Sequence, residues 1–469
     1  MYSQDSASMR QPTIQKQLNN HPSDQFAEDG NVKPKNGNHS NFSDPAFASN
    51  KTQPIHRWVP WIAGFSREFV NDSIRRYVKG KGTVLDPFAG VGTTLVESYI
   101  TGNDSIGFEI NPYAYFACKT KINSLQIDEG RFNNEIERFS SFYQKNVYSK
   151  YRVQSKEPEG FRTKIPFYSP DVLHKVLILM DFIGLIEEPD IADLFKLAFT
   201  STMVKYSNYS YEPSLGTRRG SGKADIVDYD VHEVTEQKLR EFLKDIAWIK
   251  KSMANNDVPS SKIINDSFFN CKQHLSRGKI DLLATSPPYL NNYHYNRNTR
   301  PQIFWLGFAH SPKDMKPLEE NNFGNFWQTV RDREKIDLIF DVPEIDLTEK
   351  LAQIREINPD RGIYGGSGWA NYAASYFNDC YKFSKGIDYS LKRGGTALVV
   401  IGNSILQGVT IPTDVYFARI AESVGLELVD IHIPRTARIG NSIIQSDVRV
   451  SKAAKGHRLY EAIVELKKT

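Results

Sequence analysis

The chain has 469 residues, 40% of them hydrophobic and 24% charged, enough for roughly two or three domains with a buried core and too many to depend on disulfide staples. Its three cysteines, Cys118, Cys271 and Cys380, form no C-x-x-C pair, which disfavours a disulfide framework and a structural zinc site and suits a reducing, cytoplasmic setting. With 59 basic against 55 acidic residues the formal charge is +4, a weak lean toward a polyanionic partner, and no apolar run approaches the roughly 18 to 20 residues that span a bilayer, so neither membrane insertion nor secretion is expected.

Residues 1–50 are rich in Asn, Ser, Gln and Pro, carry four basic and five acidic residues, and contain few large apolar ones, a composition that predicts a disordered tail. From Ile55 to Val78, Trp58, Trp61, Ile62, Phe65, Phe69 and Ile74 recur at helical spacing. Strand Gly82–Asp86, strand Asp104–Ile110 and helix Pro112–Lys121 follow. That alternation predicts an α/β fold with a parallel sheet covered on both faces. Over 126–258 the period becomes that of long helices, at Glu129–Tyr151, Pro170–Ile186, Pro189–Tyr206 and Val234–Met253, with no strand expected among them. Strands resume at Ser261–Asn265, Ile280–Thr285, Gly395–Ile401, Leu426–Ile433 and Leu459–Leu466, interrupted by a mixed stretch at 301–385. The expected organisation is therefore a tail (1–50), a cofactor part (51–125), a helical insertion (126–258), a catalytic part (259–300), a second insertion (301–385) and a closing part of the sheet (386–469).

The first chemical signal is Val84-Leu-Asp-Pro-Phe-Ala-Gly-Val-Gly-Thr-Thr94, where a strand ends and a helix begins. Gly90 and Gly92 allow a tight turn and close approach of a ligand, and Thr93 or Thr94 can open the helix toward it. Glu109, 17 residues beyond Gly92 at the end of the next strand, can accept hydrogen bonds from both hydroxyls of a ribose. No G-x-x-x-x-G-K-[ST] is present, which disfavours a P-loop hydrolase. Asp86 at the strand tip would repel a pyrophosphate but suits the amino group of an amino-acid moiety, which favours S-adenosyl-L-methionine over NAD.

The second signal is Leu282-Leu-Ala-Thr-Ser-Pro-Pro-Tyr289, a buried strand ending in a loop that two prolines stiffen. The Ser286 hydroxyl and Pro287 carbonyl can both accept from an exocyclic amine, turning its lone pair out of conjugation toward a methyl donor while Tyr289 stacks on a base taken out of the duplex.

Together, Asp86-Pro-Phe-Ala-Gly-Val-Gly-Thr-Thr94 and Thr285-Ser-Pro-Pro-Tyr289 resemble the amino-methyltransferases of bacterial restriction–modification systems, which methylate N4 of cytosine or N6 of adenine in DNA. The resemblance covers about 55–125, 259–300 and 390–469. It implies a Rossmann-like methyltransferase fold with a mostly parallel seven-stranded sheet, S-adenosyl-L-methionine as cofactor, and duplex DNA with a specific target and a cognate restriction endonuclease as partners. It also implies that Asp86, Phe88, Gly90, Gly92 and Thr93 line the cofactor loop, that Glu109 takes the ribose, and that Asp266 meets the adenine. Ser286, Pro287, Pro288 and Tyr289 become the catalytic loop, and His56–Val70 matches the family's helix that closes over the methionine part. Serine at the first catalytic position is commoner among N4-cytosine enzymes, and Asp or Asn among N6-adenine enzymes, so Ser286 points to cytosine N4. Adenine N6, an RNA base, and a catalytically silent DNA-binding module are the alternatives. C5-cytosine methylation needs a nucleophilic cysteine, and none follows a catalytic proline.

No C-terminal recognition domain remains once the sheet is complete, so target recognition falls to an insertion, with 126–258 as the candidate. Within it, Lys205–Tyr211 runs into Gly216-Thr-Arg-Arg-Gly-Ser-Gly-Lys223, and Arg218, Arg219 and Lys223 are candidate DNA contacts. Tyr293 and Arg297, just past the catalytic loop, are candidates for holding the displaced nucleotide. Arg435, Arg438 and Arg449, between the last two strands, are candidate phosphate ligands. Pro343-Glu-Ile-Asp-Leu-Thr-Glu-Lys350 has the acids and lysine of a nuclease string but no strand framework around it.

Overall fold

The computed structural model of the protein describes residues 42–61, 64–211, 214–253, 258–290, 295–436 and 459–469. Eleven strands lie among them: β1 (Thr83–Asp86), β2 (Asp104–Phe108), β3 (Tyr209–Tyr211), β4 (Leu215–Thr217), β5 (Ser261–Ile264), β6 (Ile280–Thr285), β7 (Leu391–Gly402), β8 (Ser404–Leu406), β9 (Val409–Ile411), β10 (Leu426–Thr436) and β11 (Tyr460–Lys468). Seven form one sheet in the order β10-β11-β7-β6-β1-β2-β5. The β5–β2, β2–β1, β1–β6 and β6–β7 pairs are parallel, and β11 runs antiparallel to both neighbours.

Numbered by chain order within the sheet and read from the β5 edge, that order is 3-2-1-4-5-7-6 with the seventh strand reversed, the strand arrangement of the methyltransferase fold. The order changes direction between β1 and β6, so a crevice opens above the carboxyl ends of these two central strands. Both signal loops leave the sheet there. β6 is apolar nearly throughout because both its faces are covered.

Helix α1 (Arg67–Tyr77) starts where the Ser66 side chain accepts from the Phe69 N–H. The structure therefore corrects the expected Ile55–Val78 helix: a single 3-10 turn spans His56–Trp58, and Pro60 and the cap at Ser66 separate it from α1. Residues 42–50, inside the stretch expected as tail, pack onto α1. Phe42 is buried beside Phe69, and buried Asn50 donates to the Phe65 carbonyl and accepts from the Arg67 N–H. Helices α2 (Thr93–Ile100) and α3 (Pro112–Ser124) follow β1 and β2.

Helices α4 (Glu129–Val147), α5 (Pro170–Ile183), α6 (Pro189–Thr202) and α7 (Val231–Met253) pack around Phe139, Phe182 and Phe195, whose ring centroids lie 5.3 to 5.7 Å apart. Each buried ring contributes about 1.5–3 kcal/mol. A strand pair is not expected here from the sequence, yet β3 and β4 form a hairpin after α6. It is held to the segment following β6, where the Tyr211 hydroxyl donates to the Asn298 carbonyl and the Leu215 N–H to Asn298 Oδ1. Helix α8 (Gly366–Ser390) lies under the β6–β7 half of the sheet, and α9 (Thr413–Ser423) precedes β10. Among the described residues no helix is long and apolar enough to cross a membrane, and no group of three or more His, Cys, Asp or Glu could hold a metal ion, the 343–350 string included.

Candidate active site

Asp86 ends β1 fully buried, and its carboxylate accepts from the hydroxyls of Thr94 and Thr285, each at 2.6 Å, and from the Phe88 N–H at 3.1 Å. Burial pushes its pKa up to about 6 despite those hydrogen bonds. Thr94 belongs to α2 and Thr285 to the end of β6, so this one carboxylate ties the two signal loops together across the switch point.

The glycine loop turns through two left-handed residues, Gly90 (φ 51°) and Gly92 (φ 89°). They do different things. A Cβ on Gly90 would stand 3.2 Å from Trp61 Nε1, so the missing side chain lets the indole close over the loop. A Cβ on Gly92 would stand 2.7 Å from Cys118 Sγ of α3, so this glycine, the N-cap of α2, admits helix packing from below. Buried Lys121 Nζ donates to the Val91 carbonyl at 3.0 Å, and burial lowers its pKa to about 7, so near neutrality the loop rests on a partly uncharged amine.

Glu109 accepts from the Gly90 N–H (2.9 Å) and the Asn111 N–H (2.7 Å), and burial raises its pKa to about 7. Asp266 follows β5 and accepts from His274, Asn270 and the Ser267 N–H. Burial works to raise its pKa, but these hydrogen bonds outweigh that and hold it below the ordinary carboxylate value.

A cleft of about 740 Å³ lies over these groups. Gly90, Phe88, Glu109 and Asp266 line one side, Ser286 and Pro288 another, and Trp61, Phe268, Phe269 and Phe323 give it aromatic walls. Asp86, Gly92, Thr93, Pro287 and Tyr289 do not face it directly. The first three are buried beneath the loop, Pro287 is buried too, and Tyr289 turns toward β7 and β11. A second cavity of about 880 Å³ adjoins across Trp61 and Tyr295, with Thr200 and Val204 near the end of α6, Tyr211 of the hairpin and Gln302 in its wall.

The DNA-contact candidates are dispersed. Arg297 is exposed just past the catalytic loop, and Arg219 and Lys223 are exposed beyond the hairpin. Arg219 is paired with Asp225 at 2.5 Å, and Arg218 Nε donates to the Ala224 carbonyl. Tyr293, Arg438 and Arg449 lie outside the described residues, as does the side chain of Arg435, whose backbone belongs to β10. Sequence reasoning misses Phe323, Phe268 and Phe269 as walls and Glu461 as the partner of Tyr289, and it registers Trp61 only as part of an apolar stripe.

A family model described as DNA methylase, for N6 and N4 methyltransferases, matches residues 2–119. Type II methyltransferase M.BsoBI of Geobacillus stearothermophilus is 26% identical over 439 residues, covering 85% of this chain and 83% of that protein. Type II methyltransferase M.AvaI of Nostoc sp. is 25% identical over 429 residues, covering 85% and 84%. The chain is thus similar to the DNA amino-methyltransferases of restriction–modification systems. A solved rRNA methyltransferase, aviRa from Streptomyces viridochromogenes, aligns at 8% identity over 90% of this chain and 94% of its own, with a TM-score of 0.28.

Similarity to that family and the fold imply S-adenosylmethionine as methyl donor, and the lining of the cleft suits such a molecule chemically. Aromatic rings can flank a purine, Glu109 can accept from ribose hydroxyls, and Trp61 over Gly90 can cover the methionine end. Ribose hydroxyls find an acceptor pair only while Glu109 is ionised. Donor affinity should therefore fall as pH drops through about 7, approaching tenfold per pH unit. Calorimetric titration of the donor on both sides of that pH checks it. Glu109→Gln should bind weakly and with a flatter pH profile, and a pH-independent native affinity would remove Glu109 from the donor site.

Proposed function

We propose that this protein transfers a methyl group from S-adenosylmethionine to the exocyclic N4 amine of a cytosine in a specific duplex DNA sequence, as the modification arm of a restriction–modification system. One observation carries this reading: the loops after β1 and β6 wall a single cleft at the sheet's switch point, with a serine at the amine-gripping position.

The donor supplies an activated methyl on a sulfonium. What the chain must add is alignment. Ser286 Oγ and the Pro287 carbonyl take the two N–H hydrogens of the amine, so that its lone pair leaves the ring system and points at the methyl carbon. The new N–C bond forms as the S–C bond breaks, and the extra amine proton leaves to solvent afterwards. Tyr289, expected from the sequence to stack on the base, instead turns toward β7 and β11 and backs the loop. Arg297, Arg218, Arg219 and Lys223 are proposed DNA ligands, as are Tyr293, Arg435 and Arg438, whose side chains lie outside the described residues. The helical insertion is the proposed recognition region, supported by the tie of its hairpin to Asn298 and by Tyr211 in the wall of the second cavity. Cys118, Cys271 and Cys380 are all buried, which fits amine rather than carbon methylation.

The test is product analysis. DNA from cells expressing the protein is digested to nucleosides and separated by mass and retention, and N4-methylcytosine at one sequence motif is the expected result. N6-methyladenine instead would move the target to the other amine of the family, and label entering structured RNA in preference to duplex DNA would overturn the substrate class.

A further inference from the structure

Serine is an ambiguous hydrogen-bonding group, since its hydroxyl can donate or accept. Gripping an N–H hydrogen requires it to accept, and a free hydroxyl would spend part of its time presenting its proton to the cleft instead.

The structure contains a chain of groups that removes the ambiguity. Ser286 Oγ donates to the Tyr289 hydroxyl at 3.4 Å, and that hydroxyl donates to Glu461 Oε1 at 3.2 Å. Glu461 sits on β11, whose antiparallel course brings its first residues to the catalytic end of the sheet, 172 residues along the chain from Tyr289. An ionised carboxylate only accepts, so the phenol must donate to it. Burial, reinforced by the nearby Glu461 charge, raises the Tyr289 pKa well above its ordinary value, which keeps the phenol proton in place. With that proton committed, the phenol oxygen offers only lone pairs to Ser286.

The surroundings fix the tyrosine. Its ring lies against Gly402 at the end of β7, where a Cβ would stand 3.1 Å from the ring. The neighbouring Pro288 carbonyl accepts from the Tyr376 hydroxyl of α8 at 3.1 Å.

We propose that Glu461 is a positioning residue for methyl transfer: through the Tyr289 hydroxyl it directs the Ser286 proton away from the cleft and leaves Ser286 an obligate acceptor for the substrate amine. The proposal rests on the reading of Ser286 given above and adds to it the residue that sets its hydrogen-bond direction.

The measurement is kcat at saturating donor and cognate DNA, alongside donor affinity by titration, for Glu461→Gln, Tyr289→Phe and the double variant. The glutamine keeps the shape of the side chain but can donate to the phenol and reverse the relay. Glu461→Gln should lower kcat about tenfold to a hundredfold with donor affinity unchanged. The double variant should be no slower than Tyr289→Phe alone, because without the phenol hydroxyl the carboxylate has nothing to orient. In a Ser286→Asp background, where the acceptor needs no orienting, both substitutions should lose their effect on any activity that remains. If Ser286→Ala abolishes turnover while Glu461→Gln and Tyr289→Phe leave kcat intact, this inference fails and the assignment of Ser286 stands. If Ser286→Ala itself turns over normally, both fail. Losses that multiply in the double variant would also overturn the relay. Should Glu461→Gln not fold, Tyr289→Phe compared with and without Ser286→Asp decides the same question.

Discussion

Replacing Ser286 with alanine is expected to lower the methylation rate about a hundredfold while leaving donor affinity within about twofold. The donor side of the cleft is built from Gly90, Glu109, Asp266 and the aromatic walls, none of which depends on the serine hydroxyl. The loop's conformation does not depend on it either. Pro287 and Pro288 restrict the backbone, the Pro288 carbonyl is held by Tyr376, and Thr285 is held by Asp86. What alanine removes is one of two acceptors on the amine. A hydrogen bond in a partly dry site is worth about 1–3 kcal/mol, or roughly fivefold to 150-fold, and the amine can then rotate back into conjugation with the ring. Single-turnover transfer from labelled donor, beside a donor titration on the same variant, separates the two effects. Full-rate transfer would mean that the Ser-Pro-Pro-Tyr loop does not grip the amine, whatever else it lines.

Much of this arrangement is legible in the sequence because the elements that carry it announce themselves locally. Strand β6 reads from the sequence with its observed ends, Ile280 and Thr285, since a short apolar run stopped by two prolines has few other readings. The helix expected over Ile55–Val78 fails for an equally local reason that periodicity cannot register: Pro60 and the Ser66 cap divide it. The hairpin escapes detection although Tyr209-Ser-Tyr211 alternates with a period of two, because three-residue strands fall below what patterning can separate from a loop. Phe323 and Glu461 are of another kind. Nothing adjacent in the chain marks either as part of a site, and each gains its role only when the fold brings a distant segment over the crevice: the second insertion for Phe323, the reversed last strand for Glu461. Local chemistry thus discloses the two loops, and tertiary placement supplies the groups that orient them.

The glycine loop illustrates how a motif residue can be required for a reason its motif does not state. Gly92→Ala should cost about 2–4 kcal/mol of stability, from a left-handed backbone angle that an L side chain resists and from a Cβ driven into Cys118, and should weaken donor binding at least about tenfold. The steric part has one partner, Cys118 Sγ at 2.7 Å, and the conformational part has none. They are therefore separable. Cys118→Ala alone should cost about 1 kcal/mol for the small cavity it leaves. Combined with Gly92→Ala, it should return part of the lost stability and part of the lost donor affinity, because the added methyl would occupy the space that the sulfur vacates. Denaturant unfolding and donor titration on the four proteins of this cycle give a coupling energy of about 1 kcal/mol or more if Gly92 serves the packing of α3 beneath the loop. Strictly additive losses, with no recovery of affinity, would mean that the glycine is needed where the loop meets its ligand, and that the contact with Cys118 is incidental.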